Sequence, residues 1–268
     1  MNEVTGPGPR DVARMDESRL VGSNRVLAVL KELARYPCGV GLDELTRVIG
    51  SPKPTVHRAL ASLRRAGLAD QDERGRYVLG DEFLRMAFAH HEVRPEHVRI
   101  RPVLETLAAR FGETAHYAVL DGRTVVYRAK VDPPAGSVRL TSTIGGRNPA
   151  HATAVGKLLL SYRLQTPDDV RNWIGDQPLE RRTSKTLCGA DELHSDLRAI
   201  QDRGYAVDDQ ENEVGINCLA VPVFATSPAE PSGSVSISAL AYRTPVAPLL
   251  DAVDDVRRVL GALGEEYR

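Results

Sequence analysis

Near Glu113 the spacing of the apolar residues changes, and few folds can accommodate that change. Before it, apolar positions recur mostly every three or four residues, the period of an amphipathic helix. After it they alternate over long stretches, the period of a half-buried strand. "TAHYAVLDGRTVVYRAKV" alternates on both sides of Asp121-Gly122, a pair favoured in two-residue hairpin turns. "SVRLTSTIG", "GYAVDD", "GINCLAVPVF" and "SGSVSISALA" are further strand candidates. "TAVGKLLLSY", "PDDVRNWIG" and "ADELHSDLRAIQDRG" return to helical spacing, and "PVAPLLDAVDDVRRVLGALGEEYR" is expected as one closing amphipathic helix. Strands flanked by helices at both ends predict an α+β domain built on an antiparallel sheet. A chain of 268 residues suffices for one large domain or two ordinary ones.

The N-terminal third has its own chemistry. Between Arg19 and Gly80 there are eleven Lys and Arg against six Asp and Glu, while the whole chain carries a formal net charge of −1. A basic module on an acidic body points to nucleic acid. "SNRVLAVLKELARY" places Val26, Leu27, Leu30, Leu33 and Ala34 on one helical face, with Ser23 as N-cap. "GLDELTRVIG" predicts a short second helix ending at Gly50. "SPKPTVHRALASLRRAG" begins a third, capped by Ser51, with early prolines that fit only a first turn. There Val56, Ala59 or Leu60, and Leu63 face the core and leave Lys53, Pro54, Thr55, His57 and Arg58 at the outward N-terminal end. That end of a recognition helix meets base edges and phosphates in the major groove. "LADQDERGRYVL" predicts a hairpin wing whose Arg74 and Arg76 reach phosphate.

"GDEFLRMAFAHHEV" follows as a linker helix capped by Asp81, and "PEHVRIRPVLETLAARFG" opens the next domain at Pro95. Phe83, Phe88 and Leu104 are expected on exposed faces that a second copy covers. The expected organisation is a disordered tail over 1–18, a winged helix-turn-helix over 19–80, a linker helix over 81–94 and a sensing domain over 95–268. Neighbours on a helix do not face one way, so His90 and His91 are surface residues, not a metal pair.

Other classes are excluded by spacing. Three scattered cysteines, no CxxC and no HExxH argue against a disulfide framework or a standard zinc site, and no cofactor is expected. No apolar run approaches the roughly 18–20 residues of a membrane span. The N-terminus lacks a signal-peptide core, so a cytoplasmic location is expected. "NPAHATAVGK" has His151 and Leu158 where a phosphate-binding loop needs Gly and Ser or Thr. A calcium loop fails at Gln210 and Val214, and Glu211 and Glu213 are expected on a solvated turn.

"PTVHRAL" with "GRYVLG", then "HATAVGKLLLS", then "GYAVDDQENEVGINCLAVPVF" together resemble the IclR-type bacterial transcription regulators, over about residues 20 to 265. The resemblance implies a winged helix-turn-helix joined by a linker helix to a GAF-like domain sensing a small molecule. It also implies dimers or dimers of dimers on palindromic double-stranded operators, and repression is the expected mode. It places Asp208 and Cys218 on one wall of an effector cavity, with Ala154 and Val155 on the opposing loop. Physically, the unpaired N–H groups at the start of the "TAVGKLLLS" helix would hold an anion, so a carboxylate effector is expected there. Thr143, Thr153, Ser236 and Ser238 are hydroxyls that could complete the site; His151 and Thr153 could equally just cap the helix. The alternative is an enzyme using Cys218 with His151 and Asp208 as a thiol triad. It is disfavoured because Cys218 lies mid-strand, away from any helix N-terminus.

Overall fold

The computed structural model describes residues 22–92, 95–133, 140–224, 227 and 229–261, with the backbone alone at 87, 88, 90–92 and 95–98. The expected tail over 1–18 and the His90-His91 side chains lie outside the described residues. Two compact units divide between Val93 and Arg94.

In the first unit, α1 (Ser23–Leu33), α2 (Leu42–Ile49) and α3 (Lys53–Arg65) precede a two-stranded antiparallel wing, β1 (Ala69–Gln71) and β2 (Tyr77–Leu79), and α4 (Asp81–Glu92). Val56, Ala59, Leu60 and Leu63 of α3 are buried with Val29, Leu33, Leu45 and Tyr77. Each large aliphatic in such a stripe contributes about 1.5–3 kcal/mol by leaving water. Gly50 ends α2 at φ 66°, left-handed backbone that suits a residue without Cβ, and the chain turns at once into α3. Three local expectations shift. Leu27 is 54% exposed and Val29 takes the inward position, because Val29 lies one helical turn before the buried Leu33. Gly22 stands at the N-cap of α1 in place of Ser23. Pro52, not Ser51, precedes α3, and neither helix has a side-chain cap bond.

The second unit contains α5 (Pro95–Phe111), β3 (Thr114–Asp121), β4 (Thr124–Val131), β5 (Arg147–Pro149), a single 3-10 turn over Ala150–Ala152, α6 (Ala154–Arg163), α7 (Pro167–Ile174) and α8 (Ala190–Arg203). It continues with β6 (Ala206–Asp209), β7 (Ile216–Val223), β8 (Gly233–Leu240), α9 (Val246–Asp251) and α10 (Val253–Gly261). The sheet order is β5-β4-β3-β8-β7-β6, with every neighbouring pair antiparallel. Strand alternation feeds two cores. Leu219 and Val221 of β7 join the layer with α5, α9 and α10, while Cys218 and Ala220 join the layer with α6, α7 and α8.

Four expectations are corrected in this unit. Asp121 pairs with Thr124, so Gly122 and Arg123 form the hairpin turn, one residue later than the motif suggested. Residues 140–145 of the "SVRLTSTIG" stretch turn back on β4 through Gly145 N–H to the Tyr127 carbonyl; the strand forms only at Arg147. The closing helix breaks at Ala252, whose N–H bonds to the Leu249 carbonyl three residues back. Leu104 is fully buried, because with Ile100 and Leu107 it forms the stripe of α5 that faces the sheet. On α4 of the first unit, Phe83 is half-buried, Leu84 and Met86 are exposed, and the Phe88 side chain lies outside the described residues.

Candidate nucleic-acid surface and ligand pocket

The buried stripe of α3 leaves its N-terminal end outward. Lys53, Pro54, His57 and Arg58 are exposed and Thr55 is half-buried. Lys53 Nζ lies 2.5 Å from Asp43 Oδ1, a partner that sequence spacing does not reveal. Both side chains are more than half exposed, so the pair is worth at most about 1 kcal/mol and gives way easily to a phosphate. In the wing, Asp72 Oδ1 accepts the backbone N–H groups of Arg74 (3.0 Å) and Arg76 (2.8 Å) and shapes the turn. Arg74 is exposed at the tip. Arg76 is half-buried, and its Nη2 donates to the Gly39 carbonyl, which ties the wing to the α1–α2 loop. Arg76 is thus engaged inside the unit, whereas Arg74 faces solvent.

In the second unit a cavity of about 240 Å³ opens on the α6–α8 side of the sheet. Thr143, Cys218 and Ser238 line it, together with His116, Tyr127, Ser142, Asn148, Arg147, Arg182, Asn212 and Glu213. A hydrogen-bonded row crosses its floor. Cys218 Sγ donates to Ser238 Oγ (3.2 Å), Ser238 Oγ meets His116 Nδ1 (3.4 Å), and His116 Nε2 meets Ser142 Oγ (2.8 Å). Burial, then Lys130, drives the His116 pKa down to about 3, so the ring is a neutral partner for hydroxyls. Burial pushes the Tyr127 pKa up to about 12. Its oxygen accepts from Asn148 Nδ2 at 3.2 Å and its own proton stays available to donate. The two guanidiniums at the cavity are already paired. Arg182 Nε donates to the Asn212 carbonyl (3.2 Å) and its Nη1 to Glu180 Oε1 (3.3 Å). Arg147 reaches Thr124 Oγ1 (2.9 Å) and Asp121 Oδ2 (2.5 Å).

The other expected pocket residues stand elsewhere. Ala154 and Val155 are buried in the α6–α8 core, and Ser236 is buried one alternation along β8 from Ser238. Asp208 pairs across the ladder with Cys218 but is buried under the turn that follows β6, where Oδ1 accepts Glu211 N–H (2.6 Å) and Asn212 N–H (3.3 Å). Burial lifts its carboxyl to about 7 against these bonds. The start of α6 is no open anion site. Thr153 Oγ1 caps it by accepting Gly156 N–H at 3.1 Å. The Ala150–Ala152 turn lies so close that a Cβ on Gly156 would meet the Ala150 carbonyl at 2.1 Å.

Glu211 is not solvated as expected. It is buried, 2.5 Å from the buried Lys157 Nζ of α6, on a turn whose backbone Asp208 Oδ1 holds at Glu211 N–H. Glu213 is exposed at the cavity. The thiol triad does not assemble. His151 Nε2 is paired with the Glu180 carbonyl (2.9 Å), and burial, then Asp208, holds the Cys218 thiol well above its ordinary pKa. Spacing gave no notice of His116, Tyr127 or Arg182, since each comes from a different element. Among the described residues no helix is long and apolar enough to cross a membrane.

Residues 24–73 match the IclR helix-turn-helix domain, and residues 90–258 match the family described as bacterial transcriptional regulator IclR, C-terminal. The chain belongs to the IclR family. It is a DNA-binding transcriptional regulator. Among IclR-family relatives, the glycerol operon regulatory protein of Streptomyces coelicolor is 32% identical, covering 89% of this chain and 95% of its own length. The crystal structure of the Thermotoga maritima IclR matches with TM-score 0.72 and 25% identity over 90% of this chain and 95% of that one. A double mutant of the inducer-binding domain of the Acinetobacter PobR transcription factor, in complex with 3-hydroxybenzoic acid, is 27% identical. It has TM-score 0.55 and covers 61% of this chain and 94% of that one.

Proposed function

We propose that this IclR-family regulator represses transcription in the cytoplasm by holding a palindromic double-stranded operator as a homodimer or dimer of dimers, and releases it on binding a small carboxylate. The observation that carries the DNA half is α3, with four buried apolar anchors beneath an exposed N-terminal end. Thr55 and His57 read base edges, and Lys53, Arg58 and Arg74 neutralise phosphates. Pro54 sets the first turn, and Arg76 braces the wing. Residues 19–80 form the DNA-binding part, 81–94 the linker helix and 95–268 the sensing part.

The effector occupies the cavity on the sheet. Its acid group exchanges with Glu180 for the outward guanidinium of Arg182, in place of the α6 N-terminus. Its hydroxyl or carbonyl oxygen lies toward Tyr127, Ser238, Thr143 and Cys218. The hydroxybenzoic acid bound to the PobR relative has such a pair of groups. Ala154, Val155, Ser236 and Asp208 shape the walls from behind. The effector favours one arrangement of the sensing domains, and a dimer whose reading heads change spacing loses operator affinity.

The test is calorimetry with hydroxybenzoic acids and their neutral amides. The acids should bind and the amides should bind at least tenfold more weakly, a difference of about 1.4 kcal/mol. Arg182→Ala should abolish the difference. Equal affinity for acid and amide would remove the carboxylate, and no shift in sedimentation above the monomer at micromolar concentration would remove the half-site mechanism.

A further inference from the structure

The turn from Asp208 to Gly215 separates the cavity from a set of buried charges. On the cavity side are Asn212 and Glu213. On the other, Lys157 Nζ on α6 sits 2.5 Å from Glu211 Oε1 and 2.9 Å from Asp196 Oδ2 of α8. Thr186 Oγ1 donates to the Glu211 carbonyl at 2.6 Å and ties the outer side of the turn. On its inner side Asp208 Oδ1 takes the N–H groups of both Glu211 and Asn212, while Arg182 Nε holds the Asn212 carbonyl and Gln210 Oε1 the Gly215 N–H. A carboxylate is a far stronger acceptor than its protonated form, so the grip on this backbone depends on the charge.

We propose that Asp208 is a proton-operated clasp on the cavity wall: as a carboxylate it holds the Glu211–Asn212 backbone, and on protonation it slackens that backbone and shifts Asn212 and Glu213. The clasp is regulation of the effector site described above and rests on that assignment. Among the described residues, titratable groups from three elements and its own turn act on or feel Asp208. Glu211, on its own turn, favours proton uptake, and Lys157 from α6 opposes it. Cys218 on β7 and Tyr127 on β4 feel its charge, both held in their neutral forms by burial. Desolvation is the largest influence and brings the carboxyl to about 7, so the clasp works around neutral pH.

Cys218 lies across the β6–β7 ladder from Asp208 and lines the cavity, so its alkylation by iodoacetamide reads the charge of Asp208. In a Cys38→Ser/Cys188→Ser background, the rate of a thiol well below its pKa rises about tenfold per pH unit. In the otherwise unaltered chain the slope should drop at a break near the Asp208 titration, because the ionised carboxylate disfavours the neighbouring thiolate. Asp208→Asn should give a straight line. Lys157→Met should move the break up and Glu211→Gln should move it down; general loosening would not produce opposite shifts. If Lys157→Met fails to fold, Glu211→Gln and Asp208→Asn carry the comparison. The amide proton shifts of Glu211 and Asn212, which report the strength of their bonds to Asp208 Oδ1, should move upfield below the break only where Asp208 is present. A straight line in the background chain, a break that survives Asp208→Asn, or amide shifts that ignore the break overturn the clasp. Iodoacetamide reads it without any effector, so failure of hydroxybenzoates to bind would count against the effector site and leave this result standing.

Discussion

Replacing Asp208 by Asn should change how the stability of the sensing unit depends on pH. The side chain is 2% exposed, and its carboxyl titrates at about 7 in the fold against an ordinary 3.8. Below the ordinary value both folded and unfolded chains carry the proton. Between the two values the folded chain holds a proton that the unfolded chain has lost, so stability falls as pH rises, by about 1.4 kcal/mol per unit. Above about 7 the loss is complete. From pH 5 to 8 the change is then about 3 kcal/mol, an upper figure because Lys157 and Glu211 titrate with the same cluster. Asn keeps an oxygen that accepts from Glu211 and Asn212 but cannot ionise. Urea unfolding at pH 5, 6, 7 and 8 should show the variant gaining about 2–3 kcal/mol relative to the parent across that range, with most of the gain below pH 7. Parallel stability profiles would mean that Asp208 is already ionised throughout and that its two N–H bonds outweigh its burial.

Three further outcomes follow from the geometry. Arg74→Ala should weaken binding to all duplexes alike and lower the salt slope by about one unit in anisotropy titrations, the effect expected of the phosphate contact proposed for this exposed wing-tip guanidinium. Thr55→Ala and His57→Ala should instead reduce discrimination between operator and scrambled duplex by about 1–3 kcal/mol per lost base contact, and unchanged discrimination would move the recognition surface off α3. Gly156→Ala should destabilise the sensing unit by more than about 3 kcal/mol in thermal or urea unfolding, because its Cβ would meet rigid backbone at the Ala150 carbonyl.

Local chemistry was legible in the chain. The spacing of Val56, Ala59, Leu60 and Leu63 specifies which side of α3 is buried, and therefore which residues are outward, because a helix repeats every 3.6 residues. Alternation likewise marks most strands of the sheet, and Gly50 and Thr153 mark helix ends by their own backbone and side-chain bonding. What spacing could not supply is contact between segments distant along the chain. Cys218, Ser238, His116 and Ser142 form one row only because the antiparallel order β4-β3-β8-β7 brings β3, β8 and β7 together and the 140–146 loop folds back on β4. Val155 and Leu104 have the same apolar character as exposed residues such as Leu27, and only packing decides which are covered. Glu211 and Glu213 are two residues apart in one acidic stretch, yet one is buried beside Lys157 and the other faces the cavity. The reason is physical: secondary structure is set by neighbours within a few residues, whereas burial, and with it the charge state of Asp208 and His116, is set by whatever the tertiary fold places around them.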